Sequence, residues 1–274
     1  MEKMLTHIRP PGRFTSGWRE VWQYRELFYF FTWRDIRVKY KQTTLGILWV
    51  VLQPLGMMLL FTLIIARNWQ MDTGGLPYPV FVLAGLILWS LFSNAVSHAG
   101  ESMIQHAGII KKIYFPRLII PGSAVLSALV DFFAGLMIFF ALLIFYGQSL
   151  HWFSPFYFGA GLLLLLTTAL GAGILLSALN VKYRDFRYTI SFLLQLLFFS
   201  SQVIYPLCSI PQEWLRILLS FNPVNTSIGL FRAGLGAPSP GIQEILAGLC
   251  VTLLLLVTGL FFFRKTEAYF ADIA

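Results

Sequence analysis

Six long apolar segments dominate the sequence, and five of them contain no charged residue. About 20 apolar residues are enough for a helix to cross the hydrocarbon core of a bilayer. Only 12% of the 274 residues are charged, whereas a soluble domain carries about 25%. These features predict an all-α integral membrane protein with six transmembrane helices. The predicted spans are about 44–66, 80–97, 121–146, 156–179, 188–205 and 245–263.

The segment that precedes the first span is basic and aromatic. Residues 18–41 are predicted to form an amphipathic helix, because aromatic residues from Trp22 to Tyr40 recur at helical spacing. Aromatic and basic residues together are typical of a helix at the lipid headgroups. We therefore divide the chain into a cytoplasmic tail with an interface helix (1–43) and a six-span domain (44–274). The interface candidates are Trp33, Arg34, Arg37, Lys39 and Lys41.

Positive charges are distributed unevenly between the two ends of the predicted spans. Of the 20 Lys and Arg residues, 17 fall on the side of the two termini: nine in 1–41, three in 101–117, three in 180–187 and two after the last span. By the positive-inside rule, both termini are predicted to be cytoplasmic. The net charge of +8 is therefore interpreted as membrane-surface charge, and no nucleic-acid partner is expected.

Residues that support catalysis are sparse. The sequence has no Gly-x-x-x-x-Gly-Lys-Ser/Thr motif, so this chain is not expected to hold ATP. Its four histidines form no metal-binding pair, and Cys208 and Cys250 are expected to be small buried apolar residues. We therefore expect no catalytic residue, metal or cofactor in this chain.

Asp131 is the only charged residue well inside a predicted span. A carboxylate at that depth is costly unless it is paired or hydrated, and it often marks function. Three interpretations remain open: hydrogen bonding within the bundle or at a subunit interface, a position on a transport path, and a proton-coupled site. Gln53-Pro54 interrupts the first span, where the proline removes a helical hydrogen bond. The channel candidates are Gln53, Pro54, Asp131, Phe192, Phe198, Phe199 and Tyr205.

Two segments between spans are not simple loops. Residues 100–120 interleave apolar residues with Lys111 and Lys112, as expected for a short helix that docks into a partner's groove or lies at the membrane interface. Residues 206–236 contain two apolar pieces, 214–221 and 224–231, which are too short to span a membrane. We predict that they form two short re-entrant helices, covered by protein or facing a cavity.

Several stretches in a fixed order resemble the permease subunits of type-2 ABC exporters, in the branch that exports polysaccharides and polyol phosphates. The resemblance extends over nearly the whole chain. The stretches are Trp33 to Trp49 with Gln53-Pro54, Lys111 to Pro121, Asn180 to Asp185, Pro206 with Pro211 to Trp214, and Phe221 to Val224.

The resemblance implies a homodimer of six-span subunits, bound by two copies of a cytoplasmic ATPase subunit that holds ATP and Mg²⁺. It also implies a bacterial inner-membrane location and a lipid-linked polysaccharide substrate, with O-antigen preferred. The basic interface helix would then suit a pyrophosphate-linked lipid headgroup. The implied ATPase-coupling residues are Glu101, Ile109, Lys111, Lys112, Tyr114 and Phe115.

Other functions remain as alternatives. Within the same superfamily, they are a capsule or teichoic acid exporter and a drug or lipid exporter. Outside it, they are a proton-coupled secondary transporter working through Asp131, and a membrane-embedded glycan-processing enzyme. The secondary transporter predicts inverted repeats, and the enzyme predicts clustered polar residues at one leaflet. Neither pattern is visible in the sequence.

Overall fold

The computed structural model describes residues 22–41, 46–66, 72–110, 112–183 and 185–267, which form helices joined by short turns. The helices are α1 (Arg25–Lys41), α2 (Ile47–Phe61), α3 (Tyr78–Gln105), α4 (Ala107–Ile110), α5 (Ile119–Phe145), α6 (Ser154–Lys182), α7 (Phe186–Phe199), α8 (Glu213–Ser220), α9 (Pro223–Ala233) and α10 (Ile242–Thr266). A π-helical segment, Thr62–Ala66, extends α2. A 3-10 turn, Leu207–Ser209, follows α7.

Five of the described helices are long and apolar enough to cross a membrane: α2 with its extension, α3, α5, α6 and α10. The helical, membrane-embedded class predicted from the sequence is therefore confirmed. The predicted span 188–205 corresponds to α7, which is apolar but has only 14 residues. The count of six spans stays a prediction.

The central helix of the bundle is α3. Every residue from Val80 to Trp89 is buried, because α5 and α6 pack against it. The helix also continues past the predicted end of the span at residue 97, since one face of the extension, including Ser102 and Met103, is buried as well. In contrast, α2 and α10 have mostly exposed apolar side chains, which suits lipid or another subunit.

Glycines allow α6 and α10 to pack closely. A Cβ atom built on Gly171 would lie 2.8 Å from the backbone nitrogen of Leu256, and one on Gly259 would lie 2.6 Å from the carbonyl oxygen of Gly171. The hydroxyls of Thr168 and Thr252 are hydrogen-bonded across the same interface at 2.8 Å. Small residues and interhelical hydroxyl pairs of this kind hold helices together within lipid.

The predicted amphipathic helix is present as α1, and it packs against the N-terminal half of α5. Phe31 is 2% exposed and contacts the ring of Phe115, while Phe28 fills the space above Gly122. The opposite aromatic face is exposed, with Tyr29 and Trp33 stacked on each other. One face of α1 thus binds the bundle, and the other is available to the headgroup layer.

Both short helices predicted within 206–236 are present as α8 and α9. The apolar side chains of α8 are largely exposed, whereas every residue of α9 from Pro223 to Arg232 is buried. Asn222 caps α9, because its side-chain oxygen accepts the N–H of Val224 at 3.0 Å. Whether the two helices re-enter a membrane stays a prediction.

Candidate functional site

A cleft of about 340 Å³ lies between α2, α3 and α7. Four of the seven predicted channel residues line it together: Gln53, Pro54, Phe198 and Phe199. α2 continues through Pro54 without a break. The complete lining is Gln53, Pro54, Met57, Leu86, Trp89, Ser90, Ser93, Leu194, Gln195, Phe198 and Phe199.

The walls of this cleft combine aromatic rings with uncharged polar groups. The ring of Trp89 meets the ring of Phe198 edge-on, with centroids 5.5 Å apart, and Phe198 meets Phe199 in the same way at 5.3 Å. Gln53 on α2 and Gln195 on α7 carry the amides. The cleft can therefore offer both flat apolar faces and hydrogen-bonding groups to a bound molecule.

The other three predicted channel residues lie outside the cleft. Phe192 is on the exposed face of α7, at 61% exposure. The hydroxyl of Tyr205 donates to the carbonyl oxygen of Phe199 at 2.6 Å, so it closes the turn after α7. Asp131 is on α5, where it is covered by α1. Their place on a transport path stays a prediction.

Asp131 is satisfied by the interface helix. Its two carboxylate oxygens accept hydrogen bonds from the ammonium group of Lys39 and the hydroxyl of Tyr40. Asp131 is 7% exposed, and the side chain of Lys39 is 38% exposed. Burial and the neighbouring carboxylate raise the pKa of Tyr40, so its hydroxyl stays a donor. Sequence reasoning sought a partner only within the spans and missed both residues.

A second polar cluster joins α1 to the end of α3. Arg34 donates to Asp35 at 2.9 Å and also contacts Nε2 of His106. The other ring nitrogen of His106, Nδ1, donates to the carbonyl oxygen of Ser102 at 2.7 Å. Burial and Arg34 lower the pKa of His106, although the Ser102 carbonyl and Asp35 favour the charged form. The neutral imidazole therefore accepts a hydrogen bond from Arg34.

The sequence matches the ABC-2 type transporter family over residues 26–236. The chain belongs to this family. The match begins in α1 and ends just after α9, so it includes the cleft and both polar clusters.

The chain is similar to O-antigen export permeases and to a polysialic acid transport protein, in each case over most of both chains. The chain is 30% identical over 261 residues to the O-antigen export system permease protein RfbA of Myxococcus xanthus, covering 93% of this chain and 97% of the relative. It is 29% identical over 252 residues to RfbA of Klebsiella pneumoniae, covering 90% and 95%. It is 25% identical over 240 residues to the polysialic acid transport protein KpsM of Escherichia coli, covering 85% and 91%.

In this ABC-2 permease, the predicted coupling residues are divided between surface and core. Lys112 and Tyr114 are exposed, and Lys111 lies outside the described residues. Ile109 is half-buried on the one-turn helix α4, and Glu101 lies in α3 with its carboxylate 3.6 Å from Arg187. Phe115 is only 4% exposed, and its ring contacts that of Phe31 on α1.

The predicted headgroup residues are divided between those engaged with groups of this chain and those that are exposed and unpaired. Arg34 and Lys39 are engaged with groups of this chain. Arg37 and Lys41 are exposed and form no ion pair with the described residues. Trp33 is 52% exposed. Among the predicted headgroup residues, the two unpaired cations and the Trp33 ring are therefore the groups that α1 can offer to a lipid.

Arg232, which was not among the predicted site residues, is 3% exposed. Its guanidinium donates to the carbonyl oxygens of Phe81, Gln202 and Val203 at 2.6–3.2 Å and lies over the Phe81 ring. Sequence patterns did not single out Arg232. The available signal was a cation that directly follows the short apolar piece 224–231.

The two cysteines also differ from expectation. Cys208 and Cys250 are both exposed, so the prediction that they are buried was wrong. An apolar sequence context cannot separate core from surface in a membrane protein, because lipid is as apolar as the interior.

Proposed function

We propose that this chain is the membrane-spanning permease subunit of an ATP-driven exporter, which moves a lipid-linked cell-surface polysaccharide of the O-antigen type across the inner membrane. The near full-length similarity to O-antigen export permeases carries this proposal. The cleft between α2, α3 and α7 supports it, because aromatic rings and amides are suited to the apolar faces and hydroxyls of sugars.

The working unit in this proposal is a homodimer with two ATPase subunits. The outward faces of α2 and α7 expose large apolar side chains such as Leu52 and Leu196, and the cleft opens between these helices. A second copy on this face would enclose the cleft as part of a conduit. ATP and Mg²⁺ would be held by the ATPase subunits, which would contact the exposed Lys112 and Tyr114 from the cytoplasm.

Deletion of the gene in its host tests the export function. We expect the surface polysaccharide to be lost and its lipid-linked form to accumulate inside the cell. A plasmid copy of the gene should reverse both changes. Surface polymer is compared with total polymer in intact and lysed cells. In a host whose only copy of the partner ATPase lacks its phosphate-binding lysine, the plasmid copy should not restore export. Unchanged surface polymer after deletion would contradict the proposal.

The headgroup role of α1 can be tested on the two unpaired cations. Each basic residue near anionic headgroups contributes about 1 kcal/mol, so the Arg37→Glu/Lys41→Glu variant should export at least about tenfold less polymer. The Arg216→Glu variant, on exposed α8, is the matched charge control. If the double variant still co-purifies with its ATPase and exports normally, the headgroup role fails.

A capsule exporter is the second candidate, because the chain is also similar to KpsM. Chemical analysis of the polymer lost on deletion separates the two substrates. A proton-coupled transporter would instead continue to move its substrate when the partner ATPase is inactive. The ion pair of Asp131 with Lys39 gives that carboxylate a structural partner and so weakens the proton-coupled alternative.

A further inference from the structure

The two glutamines of the cleft have unused hydrogen-bonding capacity. The side-chain amides of Gln53 and Gln195 make no hydrogen bond to any residue that the structure describes, and both side chains are exposed on the otherwise apolar helices α2 and α7 where these line the cleft. An amide in an apolar setting is unfavourable unless it finds a hydrogen-bond partner. At membrane depth, such groups therefore face a cavity that holds water or a ligand.

Aromatic rings lie beside these amides. Trp89 on α3 and Phe198 and Phe199 on α7 line the same cleft, together with the hydroxyl-bearing Ser90 and Ser93. Aromatic faces carry negative charge density and attract weakly positive C–H groups. The volume of about 340 Å³ is near the lower end of the range for small-ligand sites, about 300–1,000 Å³.

Charge is absent from the lining, which contains no Lys, Arg, His, Asp or Glu. Among the described residues of the five long apolar helices, Asp131 is the only charged one more than five residues from either end of its helix. It is paired with Lys39 and Tyr40. No described cation lines the cleft, and the guanidinium of Arg232 on α9 is engaged with the carbonyl oxygens of Phe81, Gln202 and Val203.

We propose that the cleft binds an uncharged, hydroxyl-rich stretch of the exported glycan and discriminates against acidic polysaccharide. Sugar hydroxyls both donate and accept, as the amides of Gln53 and Gln195 do. A carboxylate or phosphate chain would lose its hydration here without gaining a counter-charge, and this cost provides the discrimination. The inference rests on the proposed export function, and it favours a neutral chain over polysialic or teichoic acid.

The test introduces a negative or a positive charge into the uncharged cleft and uses the host's own surface polymer as the probe. With an uncharged polymer, Gln53→Glu and Gln53→Lys should each lower export by about fivefold through loss of one amide contact. The reductions caused by the two variants should agree within about twofold. Gln195→Glu and Gln195→Lys should behave alike. Gln243→Glu and Gln243→Lys, on the exposed start of α10, are the matched controls and should export normally.

The wild-type polymer provides a readout that needs no variant. A glycan that passes through an anion-exchange column unbound, after its release from the phosphate-bearing lipid, supports the inference. A released glycan that binds the column, or a lysine variant that exports well when the glutamate variant does not, overturns it while leaving the export function intact. If deletion of the gene leaves surface polymer unchanged, the export function itself fails, and that outcome is distinct from the other two.

Discussion

Arg232 and Asp131 are both charged and buried, and groups from other segments satisfy each of them. Asp131 has a cation and a hydroxyl from α1. Arg232 has no carboxylate partner among the residues that the structure describes, and three carbonyl oxygens surround it. Two of these carbonyls belong to the turn after α7, and the third belongs to α3. Arg232 therefore fastens α9 to two other parts of the bundle with one side chain.

Removal of the Arg232 guanidinium should destabilise the bundle. The Arg232→Met variant leaves three carbonyl oxygens without their donor, and we expect the free energy of unfolding to fall by at least about 3 kcal/mol. The Arg232→Lys variant should retain only part of this stability, because an ammonium group lacks the planar, forked donors of a guanidinium. Arg216→Met, on exposed α8, should change it by no more than about 0.5 kcal/mol. Thermal unfolding in detergent provides the comparison, and equal effects would contradict this role.

His106 should make stability depend on pH. Because the folded protein holds the pKa of His106 below its ordinary value of 6.5, the unfolded chain binds a proton more readily near pH 6. The free energy of unfolding should therefore fall as the pH drops below about 6.5. The His106→Gln variant should be less stable at pH 7.5 but should lose less stability between pH 7.5 and 5.5. An equal loss of melting temperature between pH 7.5 and 5.5 in the two proteins would refute the assignment of this pH dependence to His106.

Sequence patterns predicted several site residues but not their partners. Gln53, Pro54, Phe198 and Phe199 stood out because polar or aromatic residues in apolar helices often face a path. The acceptors of Arg232 could not be predicted in the same way. One of them, the Phe81 carbonyl, is 151 residues away in sequence. The contact exists only because α3 carries a glycine, Gly85, where a Cβ would lie 2.8 Å from the guanidinium.

At the scale of elements, hydrogen bonding ended α7 before its apolar run did. Val203, Ile204 and Tyr205 continue the apolar pattern, so a hydropathy argument extended the span to residue 205. In the structure, the backbone N–H of Gln202 donates to the side chain of Asn225 at 2.7 Å. This tertiary partner on α9 replaces a helical one. Hydropathy predicted the existence of the helices well, but their ends depended on such partners.

The α6–α10 contact predicts opposite effects for two glycines of one helix. In Gly171→Ala, the new Cβ would press on the backbone of α10, and we expect a loss of about 1–3 kcal/mol. In Gly159→Ala, the new Cβ has nothing within 4 Å, and the better helix propensity should stabilise by up to about 1 kcal/mol. Melting temperatures of the two variants decide the matter, and a neutral Gly171→Ala would refute the tight packing.

At the scale of the whole molecule, the two ends of the bundle carry different segments. Cys208 lies beside Asp72, which precedes α3, whereas Lys112 follows the other end of α3. The interface helix and the predicted coupling segment are joined at the Lys112 end by Phe31 and Phe115. The charge distribution predicts that this end is cytoplasmic. Cys208 should then lie on the outer side of the membrane.

Cysteine labelling tests this orientation. In spheroplasts, a membrane-impermeant maleimide should label native Cys208 when Cys250 is replaced by serine. In a variant that lacks both native cysteines, Lys112→Cys should react only after the membrane is opened. The relevant measurement is the ratio of labelling in intact and lysed spheroplasts. The reverse pattern would overturn the orientation, and labelling of both positions in intact spheroplasts would overturn the span count.

The shortness of α7 also has a consequence for the surrounding lipid. Its 14 residues extend about 21 Å along the helix axis, about 9 Å less than the hydrocarbon thickness of a typical bilayer. In the proposed six-span arrangement, the bilayer must become thinner beside α7, and each ångström of mismatch costs a fraction of a kcal/mol. Acyl-chain length in the membrane is thereby linked to the stability of this part of the exporter. Membranes with shorter chains would hold it with less elastic deformation.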